Sequence, residues 1–303
     1  MKQNQLATFS ALPEDNGLKA RYEKYRSLLK EFTLMNDVLM RNVFKERACT
    51  EYVLQIIMGK KDLKVKNQVI QQDYKNLQGR SAILDCVAMD AEGRYYNIEI
   101  QQDNEGASPK RARYYSALMD MNTLEAGEAY EKLPESYVIF ITRNDVLGHG
   151  QALYHIERKL DEVPEVFGDG SYILYVNSGI QNETELGRLM HDLHCKRAEE
   201  MYSVVLAKRV SMLKERAEGV ESMCKEMEKI YQEGFVLGET RGAKQGFEWG
   251  AKQGFERGML EAKREHALSM AKIGLTVRQI AEVVKVEESV VEKWLADSLS
   301  AVQ

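Results

Sequence analysis

Residues Ser136–Thr142 read S-Y-V-I-F-I-T, a continuous apolar run bounded by turn residues. A strand with one wet face alternates apolar and polar side chains, so an unbroken run implies a central strand covered on both faces by other layers. Residues 171–176 repeat the pattern in shorter form. Upstream, 81–90 (S-A-I-L-D-C-V-A-M-D) and 94–101 (R-Y-Y-N-I-E-I-Q) are rich in β-formers and joined by Ala91-Glu92-Gly93, a hairpin signal; 66–77 supplies an irregular edge strand. Helical spacing surrounds these runs: Tyr22, Tyr25, Leu28, Leu29, Phe32 and Leu39 before them, and Tyr114, Tyr115, Leu118, Met119 and Leu124 after Ser108-Pro109, with Gly127 suited to the end. The order helix, three strands, helix, strand predicts an α/β domain.

Five segments are expected: a loose leader at 1–19, the α/β domain at 20–182, a charged helical segment at 183–233, a glycine repeat at 234–262, and a small helix-turn-helix-like tail at 263–303. Glycines at 234, 238, 242, 246, 250, 254 and 258 keep a strict interval of four, and G-A-K-Q-G-F-E-W is followed directly by G-A-K-Q-G-F-E-R. Such a segment is either a flexible linker or a helix packed closely on another. The N-terminus lacks a secretory signal, no segment is long and apolar enough to span a bilayer, and Cys49, Cys86, Cys195 and Cys224 are scattered. A cytoplasmic protein with reduced thiols and no membrane partner is expected.

A net charge of −5 does not favour nucleic acid, yet charge is local. Lys60, Lys61, Lys64, Lys66, Lys75 and Arg80 face only Asp62 and Asp73 between 58 and 80, and Lys110, Arg111 and Arg113 form a second cluster. On the hairpin, strand alternation puts Glu99 and Gln101 on one face, and an antiparallel partner brings Asp85 beside them. Two carboxylates converging in an apolar hairpin are costly unless a cation neutralises them, and such oxygen ligands suit Mg²⁺, with Mn²⁺ as a substitute. The alternative is that both acids sit on a solvated sheet face.

Asn36-Asp37, Leu84-Asp85, Asn97-Ile98-Glu99-Ile100-Gln101, Arg111 to Tyr115 and Gly127-Glu128-Ala129-Tyr130 together resemble the PD-(D/E)XK nuclease family of transposases, or recombination-promoting nucleases. The likeness runs from about Asn36 to Asn177, and the glycine-repeat tail is similar too. It implies a restriction-endonuclease-like core, in which helix, three-stranded antiparallel meander, helix and strand are followed by a long helical extension. It also implies a Mg²⁺-dependent DNA endonuclease linked to recombination. By this resemblance Asp85 and Glu99 hold the metal together with the Ile100 carbonyl, Gln101 stands where a lysine is usual, and Asp37 is a helix-borne acid near the metal. Arg113 and Tyr115 match the basic and aromatic positions of the following helix, and with Lys110 and Arg111 of the same basic cluster they are expected to contact DNA. The sequence departs from the pattern at Leu84, which replaces a proline, at Gln101, and at Met40-Arg41, which follow Asn-Asp in place of Phe-Lys.

Other readings stay open. A non-catalytic oligomeric DNA-binding or scaffold protein, self-associating through the helical tail, would keep the same fold. A recombinase with an RNase-H-like triad lacks a third marked carboxylate. His191, Asp192 and Cys195 offer a partial zinc site, and Tyr114 and Tyr115 serve either base stacking or core packing. DNA reading by the tail is disfavoured by Glu282, Glu287, Glu288 and Glu292, which occupy positions where phosphate contacts would need cations.

Overall fold

A computed structural model describes residues 16–74, 80–102 and 104–300, in two compact units divided between Lys229 and Ile230. The leader expected at 1–19 lies, as far as residue 15, outside the described residues, and so do Lys75 and the end of the strand expected at 66–77.

The first unit is built on a six-stranded mixed sheet of β1 (Val65–Tyr74), β2 (Ala82–Asp90), β3 (Tyr95–Gln101), β4 (Ser136–Thr142), β5 (Leu153–Ile156) and β6 (Ser171–Asn177), in the order β1-β2-β3-β4-β6-β5. β1, β2 and β3 pair antiparallel in sequence order, whereas β3–β4 and β4–β6 are parallel. A parallel step needs a crossover, and the helix α4 (Pro109–Thr123) makes the one between β3 and β4. It starts where Ser108 caps it, accepting the Arg111 N–H, and Pro109 occupies the first turn. All seven residues of β4 are buried, as the unbroken apolar run demands. On one side Val138, Phe140 and Tyr175 meet Tyr115, Leu118 and Met119 of α4. On the other, Ile98, Ile139, Ile141 and Val176 meet side chains of α1 (Asn16–Glu31), α2 (Asp37–Phe44), α3 (Arg47–Met58), α5 (Glu185–His194) and α6 (Val204–Lys214).

Three features differ from the sequence expectation. The helical spacing through 20–39 is broken between Glu31 and Asp37, because Asn36 turns its side chain to accept the Val38 and Leu39 N–H groups and starts a new helix. The charged segment expected at 183–233 belongs, as far as Lys229, to the first unit: Leu189, Leu206, Val210, Met223 and Met227 enter the same core as the sheet. β5, only four residues and half exposed on the sheet edge, carries too weak a pattern to be found by periodicity. The β2–β3 hairpin turns where expected, held by buried Asp90, which accepts the Glu92 and Arg94 N–H groups, the Arg94 guanidinium and the Tyr96 hydroxyl.

The second unit contains the later part of α7 (Ala217–Lys272), with α8 (Val277–Val284) and α9 (Glu288–Ser300). Ala267, Ile280, Ala281, Val284, Val291 and Trp294 form its core. Thr276 and Gln279 make a capping box at the start of α8, and Lys285 ends it in the left-handed region at φ 55°. The glycine repeat is helix throughout, and a Cβ on any glycine from 234 to 258 would meet nothing within 4 Å. Phe247, Trp249 and Phe255 are 78%, 69% and 70% exposed. Among the described residues no helix is long and apolar enough to cross a membrane.

Candidate active site

The β2–β3 ladder runs from Met89 opposite Tyr95 to Cys86 opposite Ile98, and there it stops. One residue further, the Asp85 N–H donates to Oε1 of Glu99 at 3.1 Å instead of to a backbone carbonyl. The Ile100 N–H in turn lies near enough to the Asp85 carboxylate to favour its ionised form. β2 turns over at this point: Leu84 packs in the α4-side core and Cys86 in the core on the other face. Gln71 of β1 follows, leaving the ladder between Ile70 and Gln72 with φ 55°, a conformation side chains rarely adopt. Gln101 accepts the Arg143 N–H with its carbonyl, so the backbone groups of Gln101 face β4 and those of Ile100 face the opening beside Asp85.

Glu99 is 1% exposed, which excludes a solvated sheet face for it. Its Oε1 also accepts from Asn97 Nδ2 at 3.1 Å, while Oε2 is buried with no hydrogen-bond partner, 3.6 Å from the Arg111 guanidinium. Burial first and the Asp85 charge second push Glu99 up to about 8. Asp85 is pushed up to about 6 by burial and then by Asp37, against the pull of the Ile100 N–H, Arg41 and Arg111. Asp37 therefore lies within electrostatic reach of Asp85, placed there at the first turn of α2 by the Asn36 cap and paired with Arg41.

Gln101 lies against the turn before α4: a Cβ on Gly106 would fall 2.0 Å from its Oε1, so only glycine admits the amide there. Arg111 donates to the Gly106 carbonyl at 2.7 Å and, through Nε, to the Tyr115 hydroxyl at 2.8 Å, with its guanidinium 5.0 Å from the Tyr115 ring centre. Tyr115 is 5% exposed and stacked on Phe140 of β4, which is the packing role and leaves its ring to support Arg111. Lys110 and Arg113 stand exposed on α4 and line a cleft of about 800 Å³ with Arg80, Ser81 and Ile83. Of the other cations near β1, Lys61 pairs with Glu185 at 2.7 Å and Lys64 with Glu51 at 2.8 Å.

Sequence patterning gives no role to Asn97 or Gly106 and marks Arg41 only as standing where a lysine is usual. Alternation puts Asn97 on the face of Glu99 and was the available signal; nothing local marks Gly106. The His191, Asp192 and Cys195 ligand atoms do gather within 4.8 Å. Asp192, however, is spent on the backbone, accepting the Tyr202 and Ser203 N–H groups at 2.7 and 2.8 Å ahead of α6, and burial pushes the Cys195 thiol up to about 11. In the second unit Glu287, Glu288 and Glu292 are all exposed on or before α9.

Comparisons with curated proteins and with solved structures return no match. Among protein families, the model described as PD-(D/E)XK nuclease family transposase matches residues 48–231. That match covers both carboxylates and the helix that carries Arg111, and it leaves Asp37 and the glycine repeat outside. With more than half of its length matched, the chain belongs to the PD-(D/E)XK nuclease family transposases.

Proposed function

We propose that the protein is a metal-dependent DNA endonuclease with a restriction-endonuclease-like core, acting in the cytoplasm in recombination or transposition, and self-associating through its helical tail. One observation carries the reading: Glu99 Oε2 is buried without a hydrogen bond beside a second carboxylate. A buried acceptor without a hydrogen bond costs roughly 1–3 kcal/mol, and two acids forced together repel once both are ionised, so a cation between them relieves both costs. Asp85, Glu99 and the Ile100 carbonyl form an all-oxygen set that fits Mg²⁺ or Mn²⁺. Such an ion, when bound, supplies positive charge that acidifies water and polarises a phosphodiester.

The rest is done by side chains of the chain itself. Asp85 and Glu99 act as ligands only when ionised, and the Asp85 N–H and the Asn97 amide fix Oε1 of Glu99 before any ion arrives. Hydrolysis joins a water oxygen to phosphorus and breaks the bond to the leaving sugar oxygen, which takes up a proton. Gln101 is the amide available to orient that water, Asp37 adds an acid at the edge of the site, and Lys110 and Arg113 hold the flanking phosphates.

The test is nicking of supercoiled plasmid with Mg²⁺ or Mn²⁺ by wild type, Asp85→Ala and Glu99→Ala. Cleavage by wild type and loss in both variants is expected. Equal nicking by wild type and Asp85→Ala would place the activity elsewhere. DNA binding without any nicking would favour the non-catalytic scaffold.

A further inference from the structure

The phosphate being cleaved gains negative charge in the transition state, and a neutral amide at Gln101 cannot balance it. Its amide oxygen lies close to Gly106. The cationic group that reaches the carboxylates from α4 is Arg111, and its three nitrogens are used unequally. Nε and Nη1 make short bonds to neutral acceptors, the Tyr115 hydroxyl at 2.8 Å and the Gly106 carbonyl at 2.7 Å. Nη2 points at Glu99 Oε2 from 3.6 Å, too far for a hydrogen bond. A guanidinium placed only to neutralise Glu99 would close on it as a fork, the geometry in which such pairs are strongest. Here two neutral partners fix the plane and leave one N–H edge directed into the site. The supports are rigid: Ser108 caps the turn that carries Arg111, Tyr115 sits one turn along the same helix, and Phe140 of the central strand backs the Tyr115 ring.

We infer that Arg111 is the cation of the active centre, set by Gly106 and Tyr115 to bind a non-bridging oxygen of the phosphate under attack, the work that a lysine at position 101 would otherwise do. This rests on the nuclease reading above. Arg111 keeps its protons throughout and breaks no bond; it gives a hydrogen bond that strengthens as charge develops on the phosphate oxygen. Lys110 and Arg113 are exposed on α4 and are assigned to phosphates outside the reacting group, although Arg111 borders the same cleft.

The experiment compares Arg111→Ala, Arg111→Lys and Arg111→Ala combined with Gln101→Lys. Arg111→Ala should lower kcat by about 10²–10³-fold with KM changed no more than about threefold, the pattern of a contact made mainly in the transition state. Arg111→Lys should recover part of the loss, and Gln101→Lys should restore at least about tenfold to the alanine variant by returning a charge to the strand. A second readout needs no metal: the salt dependence of DNA binding by metal-free protein. Arg111→Ala should leave the slope of log affinity against log salt unchanged, while Lys110→Ala or Arg113→Ala flattens it by about 0.9. A slope flattened by Arg111→Ala with kcat intact would make Arg111 an ordinary phosphate contact and overturn the inference. So would a steep loss of melting temperature in Arg111→Ala with no recovery of kcat in either lysine variant. A wild type that binds but never nicks overturns the nuclease reading itself; a wild type that nicks no better than Arg111→Ala overturns only the role of Arg111.

Discussion

Asp85→Asn isolates charge from shape at the carboxylate pair. In metal-free protein Asp85 is raised from 3.8 to about 6 by burial and Asp37, and it is the second cause of the rise of Glu99 to about 8. An acid raised on folding holds its proton more tightly in the folded state. Its stabilising contribution is therefore complete at low pH and is lost as pH rises from about 4 through about 6 for Asp85, and on to about 8 for Glu99. A rise of about two units corresponds to roughly 3 kcal/mol of strain once Asp85 is ionised, an upper bound because the asparagine still needs partners at Ile100. At about pH 8.5 the metal-free variant should be more stable than wild type by about 1–3 kcal/mol, a melting temperature higher by about 2–10 °C for a unit of this size. At about pH 5 wild-type Asp85 is already largely protonated, and the gain should shrink to a small fraction. Circular-dichroism melting in chelator at both pH values measures this. Saturating Mg²⁺ should reverse the order, since an ion at a hundred times its dissociation constant stabilises only the form that binds it, by about 2.7 kcal/mol. A variant that melts below wild type at the higher pH without metal, or gains equally at both pH values, would show that Asp85 is there for its local packing and not as half of a repelling pair.

Mg²⁺ binding should release protons, so its dissociation constant, read by calorimetry, should fall about tenfold per pH unit between about 6 and 8, where the carboxylate pair still holds one proton; a flat profile would remove the pair from the ligand set. The triple change Lys110→Ala, Arg111→Ala and Arg113→Ala should flatten the salt slope of DNA binding by about 1.8, the value for two phosphate contacts, and a change near 2.7 would count Arg111 among them. Gly242→Ala, Gly246→Ala and Gly250→Ala together should raise helicity, by up to about 1 kcal/mol each, because their Cβ positions are open. If the stripe packs on a second copy, the same three changes and truncation after Glu233 should both lower the mass seen by light scattering. Unchanged mass in both would show that the tail does not drive association.

Local signals in this sequence determined local structure. The apolar run of β4, the Ala91-Glu92-Gly93 turn, the Ser108-Pro109 start of α4 and the Thr276 cap each act within one or two turns of chain, where periodicity and capping are complete on their own. The Glu99-x-Gln101 strand and its opposite Asp85 were legible for the same reason, since alternation and hairpin register follow from the turn. Whether those acids were solvated or buried was not legible. That depended on α4 and the opposite helical layer closing over the sheet, and on β2 turning over at Asp85 so that its N–H left the ladder for Glu99. The approach of Asp37 from α2, the diversion of Arg111 from the surface to Gly106 and Tyr115, and the entry of α5, α6 and the start of α7 into one core were likewise decided only by tertiary structure. The physical reason is that a side chain's charge state and partners depend on what is brought across from distant segments, and a pattern of residue types along one segment holds no record of its neighbours in space.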